Sequence, residues 1–191
     1  MRMLVAGESG GIGGAVAAAA RARGFEVVAF NRAAFDAPDG APLPFGPLDA
    51  LVFAAGVCPV ASIAKTGDAL FAETFRVNCG LFLSLMRRIT VQKLYAPSGM
   101  RAVAVSSVSA VEGWAGGAAY CASKGALSAL CRALDAELRP RKIRVAALEP
   151  RYVRTRMFEQ GAARMGVPDS AAIPPEVFAG EVLAALDALG A

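Results

Sequence analysis

Short apolar runs alternate along this chain with longer segments whose apolar residues recur at helical spacing. Residues 2–6, RMLVA, predict a first short strand. The Gly-rich stretch GESGGIGG follows, then AVAAAARARG, an Ala-rich segment that favours helix and stops at Gly24. Further strands are predicted at FEVVAF (25–30), LDALVFAAG (48–56), MRAVAVSS (100–107) and KIRVAALEP (142–150). Leu70, Phe71, Val77, Leu81, Phe82, Leu85, Met86 and Ile89 mark one long helix over 68–92. A second helix covers 118–138 and ends at Pro140, and Phe178, Val182, Leu186 and Leu189 share one face of a last one. The strands are near-continuous apolar runs, as in a parallel sheet covered on both faces. The expected fold is therefore α/β: a doubly wound parallel sheet with helices on both faces. No repeat or linker divides the chain, so residues 1–191 are expected to form a single domain. From Asn31 to Pro47 the chain is Pro- and Gly-rich without a long periodic segment.

Composition narrows the class. Of 191 residues 55% are hydrophobic, which argues against disorder. No apolar run approaches the ~20 residues that span a bilayer, and the opening MRMLVAGESGG reads as a strand entering a turn rather than a secretory leader. A soluble, cytoplasmic protein with no membrane partner is expected. The four cysteines, Cys58, Cys79, Cys121 and Cys131, show no close metal-type pairing, and histidine is absent. This speaks against a zinc site and against Ser-His-Asp hydrolysis, and no metal is expected. The net charge is +4, with basic groups at RPRKIR (139–144) and RYVRTR (151–156). Neither has the interleaved aromatics of a single-strand nucleic-acid site, and no nucleic-acid partner is expected.

Two stretches carry candidate chemistry. Gly7, Gly11 and Gly13 in AGESGGIG follow a predicted strand and open a predicted helix. Glycine there lets the backbone approach a pyrophosphate, whose charge the free N–H groups of the helix start receive. In YCASK, Tyr120 and Lys124 stand one helical turn apart on one face. A cation beside the phenol would favour phenolate and make Tyr120 an acid–base group.

Together these stretches resemble the short-chain dehydrogenase/reductase family, whose turn reads T-G-x-x-x-G-x-G and whose active site reads Y-x-x-x-K. The likeness runs in order through nearly the whole chain: PLDALVFAAG resembles the family's PLDxLVNNAG strand, FRVNCG places Asn78 where the family has its helix Asn, AVAVSSVSA places Ser107 at the family's catalytic Ser, and EPRYVRT matches the PGxxxT segment through Pro150 and Thr155. The resemblance implies hydride transfer between a nicotinamide cofactor and a ketone or aldehyde, with a small-molecule carbonyl or alcohol as substrate. It makes Tyr120 the proton donor and gives Lys124 the tasks of lowering the Tyr120 pKa and bonding the nicotinamide ribose. Ser107 would bond the substrate oxygen as it gains charge, and Asn78 would hold a water that links Lys124 to solvent. It assigns cofactor contacts to Gly7, Ser9, Gly11, Ile12 and Gly13, to Asn31 and Arg32, to Ala54, Ala55 and Gly56, to Tyr120 and Lys124, and to Pro150, Val153 and Thr155. An Asp after the second strand would accept bonds from a ribose 2′-OH. Here that strand ends AFNRA, and Arg32, helped by Asn31, offers a guanidinium suited to a 2′-phosphate, so NADP(H) is favoured over NAD(H).

The chain departs from the family in several places. Ala6 stands for the Thr of the turn. Ala54 replaces an Asn, which removes one sheet-bracing hydrogen bond. Arg151 replaces the Gly after Pro150; it pairs with Glu149 or reaches a phosphate or a substrate carboxylate, and the sequence leaves these open. The resemblance implies a Rossmann-type fold, abbreviated here because the segment between Arg32 and Leu48 is too short for the family's usual helix, strand and helix; AAFDA (33–37) is expected as a remnant third strand with Asp36 near the adenine. The family's final strand is not visible, which leaves a different assembly or a monomer open; the apolar residues on the helices at 68–92 and 118–138 favour a homodimer or homotetramer through those two helices. The segment Met157–Pro174 is expected over the pocket, with Val111, Trp114 and Met157 as apolar walls, for a 3-oxoacyl thioester, a ring ketone or a simple aldehyde. The rival readings are a dinucleotide-binding sensor without turnover and an epimerase or dehydratase using the same Tyr and Lys.

Overall fold

Side chains alternate across a strand, and here both sides of every strand meet apolar neighbours. The computed structural model describes residues 1–30, 41–165 and 167–190, residues 161–165 as backbone only. Among them are five strands: β1 (Arg2–Ala6), β2 (Glu26–Phe30), β3 (Ala50–Phe53), β4 (Met100–Val105) and β5 (Ile143–Leu148). All pair in parallel, in the order β2-β1-β3-β4-β5. The register sets Val5 opposite Ala29 and Val52, Val52 opposite Val103, and Val103 opposite Ala146. The helices are α1 (Gly11–Ala22), α2 (Asp68–Phe75), α3 (Leu81–Val91), α4 (Ala118–Leu138), α5 (Arg156–Met165) and α6 (Pro175–Ala188).

Met3 and Val5 enter one apolar cluster with Val16 and Ala20 of α1 and Phe178 and Val182 of α6. Leu4 and Ala6 enter the opposite cluster with Phe82, Leu85 and Ile89 of α3 and Leu127 of α4. The sheet is thus covered on both faces, which accounts for the unbroken apolar strands. This is the doubly wound Rossmann-type arrangement expected. Strand order reverses between β1 and β3, and such a fold opens a crevice there, beyond the carboxyl ends of its strands.

The helix expected over 68–92 is not uniform. A π-helical turn, Arg76–Gly80, separates α2 from α3. The whole stretch Asp68–Val91 is long and apolar enough, by length and composition alone, to cross a membrane. Its α3 portion nonetheless lies in the sheet core through Phe82, Leu85, Met86 and Ile89. Asn31, Arg32, Asp36 and the remnant strand 33–37 lie outside the described residues. The chain that follows them is tied to α3: the Ala41 carbonyl accepts from Arg88 Nη2 (3.1 Å) and Gln92 Nε2 (3.0 Å), and Gln92 Oε1 accepts from the Leu43 N–H (3.1 Å). Arg88 of α3 and Gln92 just past its end thus brace the approach to β3. No described strand pairs beyond β5.

One carboxylate fixes α4 against the sheet. Asp135 accepts from Arg139 (2.6 Å), from Arg144 Nε (2.9 Å) and from the Val145 N–H on β5 (2.9 Å). Burial alone would raise its pKa, but the bonds from Arg144, Val145 and Arg139 together hold it at about 2. The stability it contributes is present above the ordinary carboxylate pKa and is lost as pH falls through about 2. Asp135→Asn is expected to lower the unfolding free energy by about 1 kcal/mol at neutral pH. Urea unfolding of both proteins at several pH values should show the difference fading toward pH 2.

Candidate active site

The turn after β1 is tight because three positions admit no side chain. Gly7 has φ +92°, and a Cβ there would lie 2.6 Å from the Ala55 nitrogen. A Cβ on Gly13 would run into the Gly7 carbonyl, and one on Gly11 would come 2.8 Å from Thr155 Cγ2. The bare backbone therefore brings together the β1 turn, the start of α1, the end of β3 and the segment after β5. Gly10 N–H closes the turn on the Gly7 carbonyl at 2.9 Å. Arg21 draws the Glu8 carboxylate to itself at 2.6 Å.

These segments wall one cavity of about 1060 Å³ at the carboxyl ends of the strands, a size suited to a cofactor-scale ligand. Gly7, Ser9, Gly11 and Ile12 line it from the β1 turn, and Ala54, Ala55 and Gly56 from the end of β3. Pro150, Val153 and Thr155 line it from beyond β5, and Ser107, Tyr120 and Lys124 complete the wall. Gly13 is not on the wall but packs behind it on Gly7. Asn31 and Arg32 lie outside the described residues.

Ser107 begins a short 3-10 turn, Val108–Ala110, its Oγ accepting from the Ser109 N–H at 3.1 Å. Tyr120 and Lys124 occupy the first two turns of α4. Lys124 is 5% exposed, and its Nζ donates to the Val105 carbonyl at 2.8 Å and lies 5.7 Å from the Tyr120 ring centroid. Asn78 is fully buried in the π turn, a local widening of the helix that recurs at functional sites. Its Oδ1 accepts from the Val57 N–H (2.8 Å), and its Nδ2 donates to the Val57 carbonyl and to Ser123 Oγ (both 2.9 Å). A Cβ on Gly56 would stand 3.2 Å from Asn78 Oδ1 and 3.6 Å from Lys124 Nζ. Glycine there lets the end of β3 pass between those two side chains.

Burial dominates the protonation of the pair. It lowers the Lys124 ammonium from its ordinary 10.5 to about 8, with Cys58 and Cys131 opposing. It pushes the Tyr120 phenol well above its ordinary value, Cys58 adding to the rise and a hydrogen bond from Ser107 acting against it. The expectation that Lys124 makes Tyr120 unusually acidic is therefore not met. The ammonium is turned to the Val105 carbonyl, and the phenol loses more from burial than its neighbours return.

Other expectations divide. Trp114 and Met157 line the cavity, and the Trp114 ring lies 6.3 Å from that of Tyr120 with its Nε1 donating to Ser109 Oγ at 3.2 Å. Val111 is 78% exposed and is not on the wall. Met157, Phe158 and Val167, from the segment expected over the pocket, line it. Arg151 pairs with Glu112, not with Glu149, which accepts from Ser128 Oγ at 2.6 Å. Glu112, Arg156 and Cys58 are among the wall residues to which the sequence reading gave no role in the site. Burial pushes the Cys58 thiol up to about 11, with Lys124 opposing. Cys58 follows Gly56 by two residues, which was the one local signal for it. No group of three or more His, Cys, Asp or Glu suited to a metal occurs among the described residues.

Comparison with known proteins agrees with this geometry. The family model for short chain dehydrogenase matches residues 36–165. L-xylulose reductase of Mesocricetus auratus is 29% identical over 178 residues, covering 82% of this chain and 73% of the relative. Carbonyl reductase [NADPH] 2 of Sus scrofa is 30% identical over 134 residues, covering 70% of this chain and 55% of that one. Among solved structures, a protein assigned as an NAD(P)-dependent gluconate 5-dehydrogenase from Beutenbergia cavernae, with bound NADP, superposes with a TM-score of 0.79 at 27% identity, covering 95% of this chain and 87% of the other. Actinorhodin polyketide ketoreductase with NADPH has the same fold, with a TM-score of 0.79 at 20% identity over 97% of this chain and 89% of the other.

Proposed function

Because this chain belongs to the short-chain dehydrogenase/reductase family, we propose that it is an NADP(H)-dependent oxidoreductase that interconverts a ketone or aldehyde with an alcohol, using Tyr120 as acid and base. The observation that carries the reading is the meeting of Ser107, Tyr120 and Lys124 on the wall of the cavity that the Gly-rich turn also lines. A nicotinamide dinucleotide fits the cradle, since Gly7 and Gly11 bare the backbone on that wall and the side chain of Thr155 packs on Gly11. When bound, the nicotinamide supplies or accepts the hydride.

The remaining chemistry belongs to the chain. Burial keeps the Tyr120 phenol protonated at neutral pH, ready to give its proton to the oxygen of a carbonyl undergoing reduction. Ser107, on the same cavity wall as Tyr120, offers its hydroxyl to the same oxygen as charge develops there. Lys124 supplies positive charge under the site, and Asn78, by the family resemblance, holds the water that connects Lys124 to solvent. The exposed Arg156, beside Thr155, adds positive charge on the side of the Gly-rich turn. Self-association through the segments 68–92 and 118–138 belongs to the same reading, with the exposed Phe71 and Leu83 as apolar contacts.

NADP(H) is preferred in this reading because Arg32 follows β2. The names of the porcine carbonyl reductase and the bound NADP of the Beutenbergia structure support the preference. The test is a panel of ketones and aldehydes with NADPH and with NADH, on wild type and Arg32→Ala. Loss of nicotinamide absorbance is expected with NADPH. One charge-assisted contact corresponds to about tenfold or more in affinity for NADPH over NADH, a gap that Arg32→Ala should close. Tight NADPH binding with a flat response across the panel would instead support a dinucleotide-binding sensor.

A further inference from the structure

We propose that the Arg151–Glu112 ion pair is a specificity element at the substrate end of the cavity, directing the site toward neutral carbonyl compounds and away from those bearing a carboxylate. The inference rests on the oxidoreductase reading above and names the substrate class of that site.

Both side chains belong to the cavity wall. Glu112 lies five residues past Ser107, and Arg151 directly follows Pro150, whose carbonyl accepts from the Val108 N–H at 3.0 Å. The two loops are therefore joined beside Ser107, and the ion pair closes across them. Arg151 Nη2 meets Glu112 Oε1 at 2.7 Å and Nη1 meets Oε2 at 3.2 Å. That is the two-pronged fit a guanidinium offers a carboxylate. Glu112 thus occupies, from within the chain, the fork a substrate carboxylate would use. An incoming anion must displace Glu112 and then sit beside its charge, an arrangement that discriminates by repulsion as well as attraction.

The surroundings do not undo this. Trp114 and Met157 give the same cavity apolar wall. Glu73 and Arg76 pair with one another in the same two-pronged way at 2.6 and 2.8 Å, and Arg21 holds Glu8. Lys124 is turned to the Val105 carbonyl. Arg156 stands next to Thr155, which packs on Gly11 at the Gly-rich turn. The pair's side chains are 60% and 49% exposed, so either partner can be replaced without opening the core.

The test uses two aldehydes of one shape, benzaldehyde and 4-carboxybenzaldehyde, titrated calorimetrically into protein saturated with NADP⁺, so that binding is read without turnover. Wild type is expected to bind benzaldehyde at least about tenfold more tightly. Glu112→Gln uncovers Arg151 and should shift the affinity ratio at least about tenfold toward the carboxylate. The double variant Glu112→Gln with Arg151→Gln should lose that shift. A ratio in Glu112→Gln within twofold of wild type, or a shift that persists in the double variant, overturns the proposal. The same panel with NADPH reads turnover: the binding contrast without turnover defeats the oxidoreductase reading and leaves this inference standing, whereas turnover without the contrast does the reverse.

Discussion

Tyr120→Phe is expected to lower carbonyl turnover by about 10²–10⁴-fold while leaving the NADPH dissociation constant within about twofold of wild type, the range a positioned acid–base group commands. The substitution removes one oxygen and nothing else. The ring keeps its place between Trp114, 6.3 Å away, and the Lys124 ammonium, 5.7 Å from its centroid. The Tyr120 carbonyl keeps its bond from Ser123 Oγ at 2.7 Å, so the first turns of α4 stay as they are. What disappears is the hydroxyl and its proton. The pH dependence carries a second signature. Because burial holds the phenol protonated, reduction should not rise with pH through the neutral range, whereas alcohol oxidation, which needs the phenol as a base, should rise. Stopped-flow turnover in both directions with fluorescence titration of NADPH measures all of this. Turnover in Tyr120→Phe equal to wild type would remove Tyr120 from the chemistry.

The parts of this protein that were legible in the sequence are those in which local pattern and global fold agree. Each strand is an apolar run because both of its faces are covered, and the Gly-rich turn announces itself because Gly7, Gly11 and Gly13 each stand where a Cβ would strike backbone or Thr155. Ser107, Tyr120 and Lys124 were readable as an ordered set, and all three reach one cavity wall. The helix of 68–92 was readable only in part. Phe71 looks like a core residue on the helical repeat, yet it is 43% exposed, while polar Thr74 and Asn78 of the same helical stretch are buried. A π turn accommodates an additional residue and shifts the phase of everything after it, and no period in the sequence marks that. Thr74 is content inside because its Oγ1 bonds the Leu70 carbonyl at 2.7 Å, and Asn78 because Val57 and Ser123 satisfy it. The partner of Arg151 was beyond reach for another reason: Glu112 lies 39 residues away on a separate loop, and only the tertiary fold joins them. The protonation of the Tyr–Lys pair was misread because spacing gives proximity, whereas its direction is decided by burial.

Lys124→Met is expected to make the protein more stable at neutral pH and less active by about 10²-fold or more. In the folded chain the ammonium is 5% exposed, and burial lowers its pKa from 10.5 to about 8. Holding that charge inside costs the folded state about 3 kcal/mol at pH 7. The bond to the Val105 carbonyl, worth about 1 kcal/mol, is lost with the substitution, so the net gain is about 2 kcal/mol. The sign follows from proton counts. Between pH 8 and 10.5 the unfolded chain keeps a proton on Lys124 that the folded chain has released, so wild-type stability from this group rises with pH above about 8. The thiols of Cys58 and Cys131, raised from 9.0 to about 11 and about 12, act the other way once pH passes 9, when the unfolded chain loses protons the folded chain retains. The clean window is therefore pH 7 to 9. Urea unfolding at pH 7, 8 and 9 should show Lys124→Met ahead at pH 7 and the gap narrowing toward pH 9. Parallel curves for the two proteins would mean that the ammonium is not held against its hydration. The stability given up for Lys124 has a use only if the site works with its charge, so the gain in stability and the loss of turnover must appear in the same variant.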